Sequence, residues 1–531
     1  MSVPSPKSPV VSGLACLGII FLSATLLCAV TPFETQAPPN CANGIDEIVF
    51  AKLRALKIEP ANVCSDSVFV RRVHLDVTGT LPTAHEAQEF ILSRDPKKRS
   101  VLIDRLLGQD EYADYWAMKW SDLLRVKAEF PINLWPNAAQ AYHHWIRDSV
   151  RQNKPYDQFA RELLTSTGSN FREPPANFYR AMQNREPSGV VQAVALTFMG
   201  VRVDKWSSEQ LSKMAIFFTK IGYKYTSEWK EEIVFFDPEK TNSPVVANGY
   251  EGILPDKSKI FLRADADPRQ AFADWLITPQ NPWFTRNIAN RMWFWLLGRG
   301  IIQEPDDIRS DNPPSNQELL RFLENQLVEA KYDLKGFCRL ILNSQTYQLS
   351  SVRTTDSPQA EANFAFYPVR RLEAEVLIDA VDDITGSTEK YSSPIPEPFT
   401  FIPENQRSIA LADGSISSAF LELFGRPPRD TGLAFERNNR PSAAQELHLL
   451  NSTHILRKFE QSRMIQFQTD SKRSATEIAT GVYLGILSRF PTAEETKIIE
   501  NYFQAENRKP REAIVDLAWA LLNSAEFLYR H

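Results

Sequence analysis

The chain has 531 residues, 43% of them hydrophobic, with a formal charge of −5 and a pI near 6.0. That length exceeds one ordinary core and predicts two or three packed domains. A slightly acidic chain has no basic footprint to neutralise phosphates, which excludes nucleic acid as a main partner. The five cysteines are too few for a disulfide scaffold and no pair has zinc-site spacing, so no metal is expected.

In chain order, Val10 to Thr31 carries no charge and is rich in Leu, Ile, Val and Ala, after a stretch whose only charged side chain is Lys7. A segment of this length and composition, followed by the Pro-rich linker Pro32 to Pro39, predicts an export signal or a retained N-terminal anchor over residues 1–39. Small residues suit cleavage better near Ala37 than near Ala29, and Cys28 after two leucines is a poor lipid-attachment site. The expected location is the periplasm or cell envelope, with the membrane met only through this segment. Cys16 and Cys28 lie in it, which leaves Cys41, Cys64 and Cys338 in the body. Cys41 and Cys64 bracket a predicted helix and are either bridged or two free thiols.

Ile45, Ile48, Val49, Leu53 and Leu56 recur at helical spacing, with Asn43 and Asp46 placed to cap the start. A second helix around Phe69 to Val77 stops at Gly79. Thr83 with Glu86 and Thr492 with Glu495 read as capping boxes, and the run Ser315-Asn316-Gln317-Glu318 reads as another. A phrase also recurs: Leu106-Leu107-Gly108, Leu342-Asn343-Ser344, Leu450-Asn451-Ser452 and Leu522-Asn523-Ser524. Each predicts a helix ending in a left-handed Gly or Asn cap. Between Tyr223 and Leu262, Glu232 to Phe236 and Pro244 to Val246 predict short strands, and Arg407 to Leu411 predicts another inside the loop-rich stretch Ser392 to Pro441. The expected fold class is mainly α: helical domains over 40–222 and 263–531 with a small β insertion over 223–262.

Arg71-Arg72-Val73-His74-Leu75-Asp76-Val77-Thr78-Gly79, Tyr115-Trp116-Ala117-Met118-Lys119-Trp120-Ser121-Asp122-Leu123 and Pro155-Tyr156-Asp157-Gln158-Phe159 resemble the first of two paired domains of unknown function, 1549 and 1553. Asn290-Arg291-Met292-Trp293, Gly298-Arg299-Gly300 and Arg370-Arg371-Leu372-Glu373-Ala374-Glu375 resemble the second. The resemblance implies an exported planctomycete-type protein, in a family often associated with cytochrome c modules and without an established activity. Many members carry a C-x-x-C-H segment after a Phe-x-Gly-Val-Arg stretch. Here Phe198-Met199-Gly200-Val201-Arg202-Val203 runs straight into Asp204-Lys205-Trp206, so c-type haem is not expected and no cofactor is implied.

Tyr112, Trp116 and Trp120, four residues apart, read as core, as does the cluster Trp293, Phe294 and Trp295. His143 with His144, and His448 with His454 six apart, are placed on different helical faces and expected to be structural. Arg286, Asn290, Arg291 and Arg299, together with Arg426, Arg429, Arg437 and Asn438 on a Pro-stiffened loop, suit forked contacts to carboxylate, sulfate or phosphate. The leading expectation is a haem-free binding or scaffold protein that meets an anionic polysaccharide or another exported protein through these residues. The alternatives are a carboxylate-dependent hydrolase of complex carbohydrate, with Asp306 and Asp307 as weak catalytic candidates, and an electron-transfer component, disfavoured by the missing haem motif. No G-x-S-x-G, Walker, Rossmann or H-E-x-x-H pattern is present.

Overall fold

The computed structural model describes residues 32–240, 249–462, 465, 466, 469, 473–504 and 509–531. Residues 1–31 of the expected export segment and the predicted strand Pro244 to Val246 lie outside the described residues. No helix among the described residues is long and apolar enough to cross a membrane.

Helix α1 (Gly44–Leu56) starts where its capping residues predict, with Asn43 Oδ1 accepting from Ile45 N at 3.0 Å and Asp46 Oδ2 from Ala42 N at 3.0 Å. Helix α2 (Asp66–Val77) is buried along most of its length, and left-handed Gly79 follows it where an added Cβ would lie 2.5 Å from the Tyr115 ring. The Thr83–Glu86 capping box opens α3 (Ala84–Leu92), and Thr492 with Glu495 opens the helix Ala493–Phe503 in the same way. Such caps each contribute about 1 kcal/mol. The expected box at Ser315 is corrected: Asn316 is the cap, accepting from Leu319 N at 3.1 Å, and Glu318 does not reach back. Helices α4 (Lys98–Leu107), α5 (Asp110–Leu123), α6 (Pro136–Arg151) and α7 (Tyr156–Thr165) follow, and the shorter helices Pro187–Val194 and Ser208–Ala215 complete the first half.

The recurring Leu-Leu-Asn-Ser phrase is a helix-to-helix junction and not a left-handed cap. Gly108, Asn343 and Asn523 have φ of −90°, −83° and −85°. The serine starts the next helix: Ser344 Oγ accepts from Tyr347 N, and Ser524 Oγ from Phe527 N, both at 3.2 Å. These short helices, Gln345–Gln348 and Ala525–Leu528, carry the buried aromatics Tyr347 and Phe527. The adjacent arginines of α2 clamp one copy each. Arg72 Nη1 donates to Tyr347 O at 2.7 Å, and Arg71 Nη2 to Phe527 O at 2.8 Å.

Three antiparallel sheets interrupt the helices. Strands β1 (Gly168–Ser169), β2 (Ile221–Tyr225) and β3 (Glu232–Phe236) lie in the order β1-β3-β2, and β4 (Tyr250–Ile253) pairs with β5 (Lys259–Leu262). The β insertion is thus present, and β1 ties it to the first half. Strand β6 (Arg370–Arg371) pairs with β7 (Tyr529–Arg530), bringing the last residues of the chain beside its middle. The strand expected at Arg407 to Leu411 is instead a 3-10 turn, Ser408–Ala410. The buried Asp379 carboxylate takes the N–H groups of Ser408 at 2.7 Å and Ile409 at 3.1 Å, so they have no need of a strand partner.

Residues 32–531 form one compact unit, and one hydrophobic cluster runs from Ile45 through Trp293 to Phe527. The two halves share it through α1, whose Asp46 also caps the helix Gln345–Gln348 by accepting from Thr346 N at 2.8 Å. Trp116 and Trp120 of α5 meet Trp295 edge-on at 5.7 and 5.4 Å, which makes the aromatic stripe the seam between the halves. Each fully buried ring of this size contributes about 2–3 kcal/mol.

Candidate functional site: a cation-rich cavity between the halves

Helix α5 alternates aromatic residues with charges that its position forces inward, and Lys119 is buried. The Lys119 ammonium pairs with Glu373 at 3.3 Å, and Glu373 is also gripped by Arg530. Asp122, one turn later, holds Arg429 at 2.9 Å and Arg437 at 2.7 Å. Arg437 also meets Glu375 at 2.6 Å, Arg370 meets Asp76 at 2.9 Å, and Arg291 meets Asp306 at 2.8 Å. These groups surround a cavity of about 210 Å³ whose lining includes Lys119, Asp122, Arg291, Arg370, Arg371, Glu373 and Arg437. Its half-buried lining residues, Phe294, Trp295, Leu433 and Asn439 among them, come from the helix Phe284–Leu297 and the loop after Arg426.

The charges do not balance. Among the described residues Lys119, Arg291, Arg370, Arg371, Arg426, Arg429, Arg437 and Arg530 form ion pairs only with Asp76, Asp122, Asp306, Glu373 and Glu375, an excess of three cations in a chain whose net charge is −5. Among the described residues Arg371 forms no ion pair; it donates to the Gln445 side-chain oxygen, feels Glu446 only at longer range, and its Nε has no acceptor. Buried Asp413, near Arg429, is held by the N–H groups of Ala128 and Ser415 at 2.8 Å each. Burial alone would push Glu373 up, yet Arg530, Lys119, Arg437 and Arg370 hold it well below the usual carboxylate range. Burial, then the repulsion of Arg429, pushes Arg426 down to about 10. Buried cations in excess carry a desolvation cost that a bound anion would offset.

The residues expected to form an open anion-binding surface are mostly committed elsewhere. Arg286 pairs with Glu324 at 2.7 Å and Arg299 with Glu361 at 3.7 Å, neither on the cavity. Asn290 exchanges two hydrogen bonds with the Ile302 backbone, both 2.9 Å. Arg426 and Arg429 are buried, the first against Glu375 at 3.4 Å and the second against Asp122, so the loop is not a free guanidinium surface. Its Pro-Pro stiffening serves to insert these arginines. Asn438 is exposed and hydrogen-bonds its own loop at Arg440 N. Of the expected set, Arg291 and Arg437 alone line the cavity.

Asp306 and Asp307 are not placed as an acid and base. Asp306 is buried and engaged by Arg291 and by Ala434 N at 2.6 Å, while Asp307 pairs with Arg309 at 2.7 Å. Cys41 is an exposed free thiol and Cys64 a buried one, so the bridged alternative is not formed. His448 and His454 do not point apart: the junction at Ser452 breaks the helix and brings their rings to 5.7 Å, with His454 Nε2 2.8 Å from Glu389. His143 is buried, and its pKa is pushed down to about 3 by burial and then by Arg429. Among the described residues no group of three or more His, Cys, Asp or Glu could hold a metal ion. The short turn Val203–Lys205 offers neither thioether cysteine nor axial histidine, so its donor set does not fit covalent haem.

The missed lining residues Lys119, Asp122, Arg370, Arg371 and Glu373 had a legible signal, namely charges embedded in otherwise apolar, aromatic-rich segments. No curated protein and no solved structure matches the chain. Residues 44–221 match the family described as Protein of unknown function (DUF1549), and residues 268–503 match the one described as Protein of unknown function (DUF1553). The chain therefore carries these two domains of unknown function in tandem.

Proposed function

We propose that this protein is an exported envelope protein that binds an acidic group of a polysaccharide or of another exported protein in the cavity between its halves. The crowding of cations carries this reading: Lys119, Arg291, Arg370, Arg371 and Arg437 converge on a small cavity whose lining holds only Asp122 and Glu373, and Arg371 forms no ion pair among the described residues. A carboxylate, sulfate or phosphate there would accept forked guanidinium contacts and relieve the mutual repulsion of the arginines. Export rests on the uncharged segment Val10 to Thr31.

Thermal unfolding in sulfate against chloride at equal ionic strength tests the cavity. Sulfate strengthens any fold through exclusion at high concentration, so the decisive quantity is a saturable shift at low millimolar sulfate. A site occupied at a hundred times its Kd adds about 2.7 kcal/mol. The shift is expected in the wild type and is lost in Arg371→Gln. Equal shifts in both proteins, or none in either, would remove the proposal.

A further inference from the structure

A second cavity, of about 510 Å³, lies on the other side of the same loop. Asp430, Thr431 and Phe435 line it, while Gly432, Ala434 and Arg437 line the cation-rich one, and Leu433 reaches both. Its wall is largely apolar, with Met182, Leu196 and Val201 buried and the Phe435 ring 60% exposed at the rim.

Two arginines lie on this wall: Arg202 is paired with Glu304, whereas Arg125 is out of character. Arg125, at φ 58° and 3% exposed, donates through Nε to Ala181 O at 2.7 Å and through Nη1 to Leu123 O at 3.2 Å. Its Nη2 is buried with no partner, and it forms no ion pair among the described residues. Two carboxylates lie on the wall. Asp430 is held by Lys127 at 2.6 Å and Asp204 is exposed, so neither is spent on Arg125. A guanidinium charged, buried and unpaired beside an apolar cavity is costly unless an anion completes it. Burial pushes Arg125 down to about 10, against the opposing pull of Tyr142 and Glu436, which leaves it a cation at neutral pH.

We propose that this cavity is a second binding site, for an alkyl carboxylate or sulfonate whose head meets Arg125 and whose chain lies against Met182, Leu196, Val201 and Phe435. The site differs in kind from the cation-rich cavity, where many charges meet a compact polar anion. Here one unpaired guanidinium selects the head, Arg202 being held by Glu304, and apolar walls select the body.

Calorimetry with octanoate and with octyltrimethylammonium, on the full-length protein, tests this. Octanoate is expected to bind at least about tenfold more tightly than the cation of equal chain length, a difference that Arg125→Met removes. Gln192→Trp, at an exposed lining position, fills the cavity without touching the core and is expected to abolish octanoate binding with an unchanged thermal midpoint. It decides alone if Arg125→Met does not fold. Arg371→Gln is expected to leave octanoate affinity unchanged, which separates this site from the sulfate response. Absent octanoate binding, equal affinity for the two amphiphiles, or octanoate binding that survives Gln192→Trp overturns the assignment.

Discussion

Arg71 and Arg72 are as deeply buried as the cations around the cavity, at 2% and 1% exposure, yet the two regions satisfy their charge by opposite means. The α2 pair uses backbone carbonyls: Arg71 takes Ile486 O and Phe527 O at 2.8 Å each, and Arg72 takes Tyr347 O at 2.7 Å with Leu349 O and His531 O at 2.9 Å. These two cations line neither cavity, whereas Arg125, held by carbonyls too, borders one. The cavity cations, Arg371 excepted, pair with carboxylates, with backbone carbonyls added at Arg370, Arg426 and Arg429; they are more numerous than those carboxylates and surround empty volume. A carbonyl-held cation with no cavity beside it therefore acts as a structural pin, and uncompensated charge beside empty volume marks a ligand site.

The sharpest way to break this distinction is Arg72→Met, which orphans three carbonyls at a junction of distant segments. It is expected to cost on the order of 4 kcal/mol in urea unfolding, with no change in sulfate response. A loss under about 1 kcal/mol would mean the pin is not a pin. Glu373→Gln should cost about 3 kcal/mol by leaving Arg530 and Lys119 less compensated, while tightening sulfate binding. Arg371→Gln should move the other way, weakening sulfate while changing anion-free stability little, because one repelling cation leaves. Variants that shift stability and affinity in the same direction would contradict a cation-excess site.

Acid sharpens the contrast further. Burial and the neighbouring Arg429 push the His143 pKa down to about 3, and burial pushes His74 down to about 4. Both are neutral in the fold, whereas the unfolded chain takes up protons below about pH 6.5, so stability is full above that value and is lost as pH falls towards 3. Each unit of separation is worth about 1.4 kcal/mol. Between about pH 5 and 6.5, above the ordinary carboxylate range, the slope of stability against pH should be shallower in His143→Phe than in the wild type. Identical slopes would count against a neutral His143. Thr83→Ala, at an exposed cap far from either charge cluster, serves as the baseline and should cost about 1 kcal/mol with sulfate response intact.

Much of the helical framework was legible because its determinants are local. Asn43 with Asp46, Thr83 with Glu86 and Thr492 with Glu495 make hydrogen bonds to backbone within four residues, so spacing alone announces them. The aromatic stripe of α5 and the strand Glu232–Phe236 were legible through periodicity and composition. The serine junctions are not legible because the residue after the Asn that ends one helix at once starts the next, Ser452 filling both roles, and only the tertiary structure shows it. That same junction at Ser452 reversed the reading of His448 and His454.

By itself the sequence determined the mainly α class, the two family halves, the helix starts and the presence of arginine-rich segments, all of which rest on interactions a few residues long. Only the tertiary structure decided which arginines are spent. Arg72 finds its carbonyls 275, 277 and 459 residues away, and Arg437 finds its carboxylates at 62 and 315. A guanidinium's partner is set by where distant segments meet in the core, and no local pattern encodes that meeting.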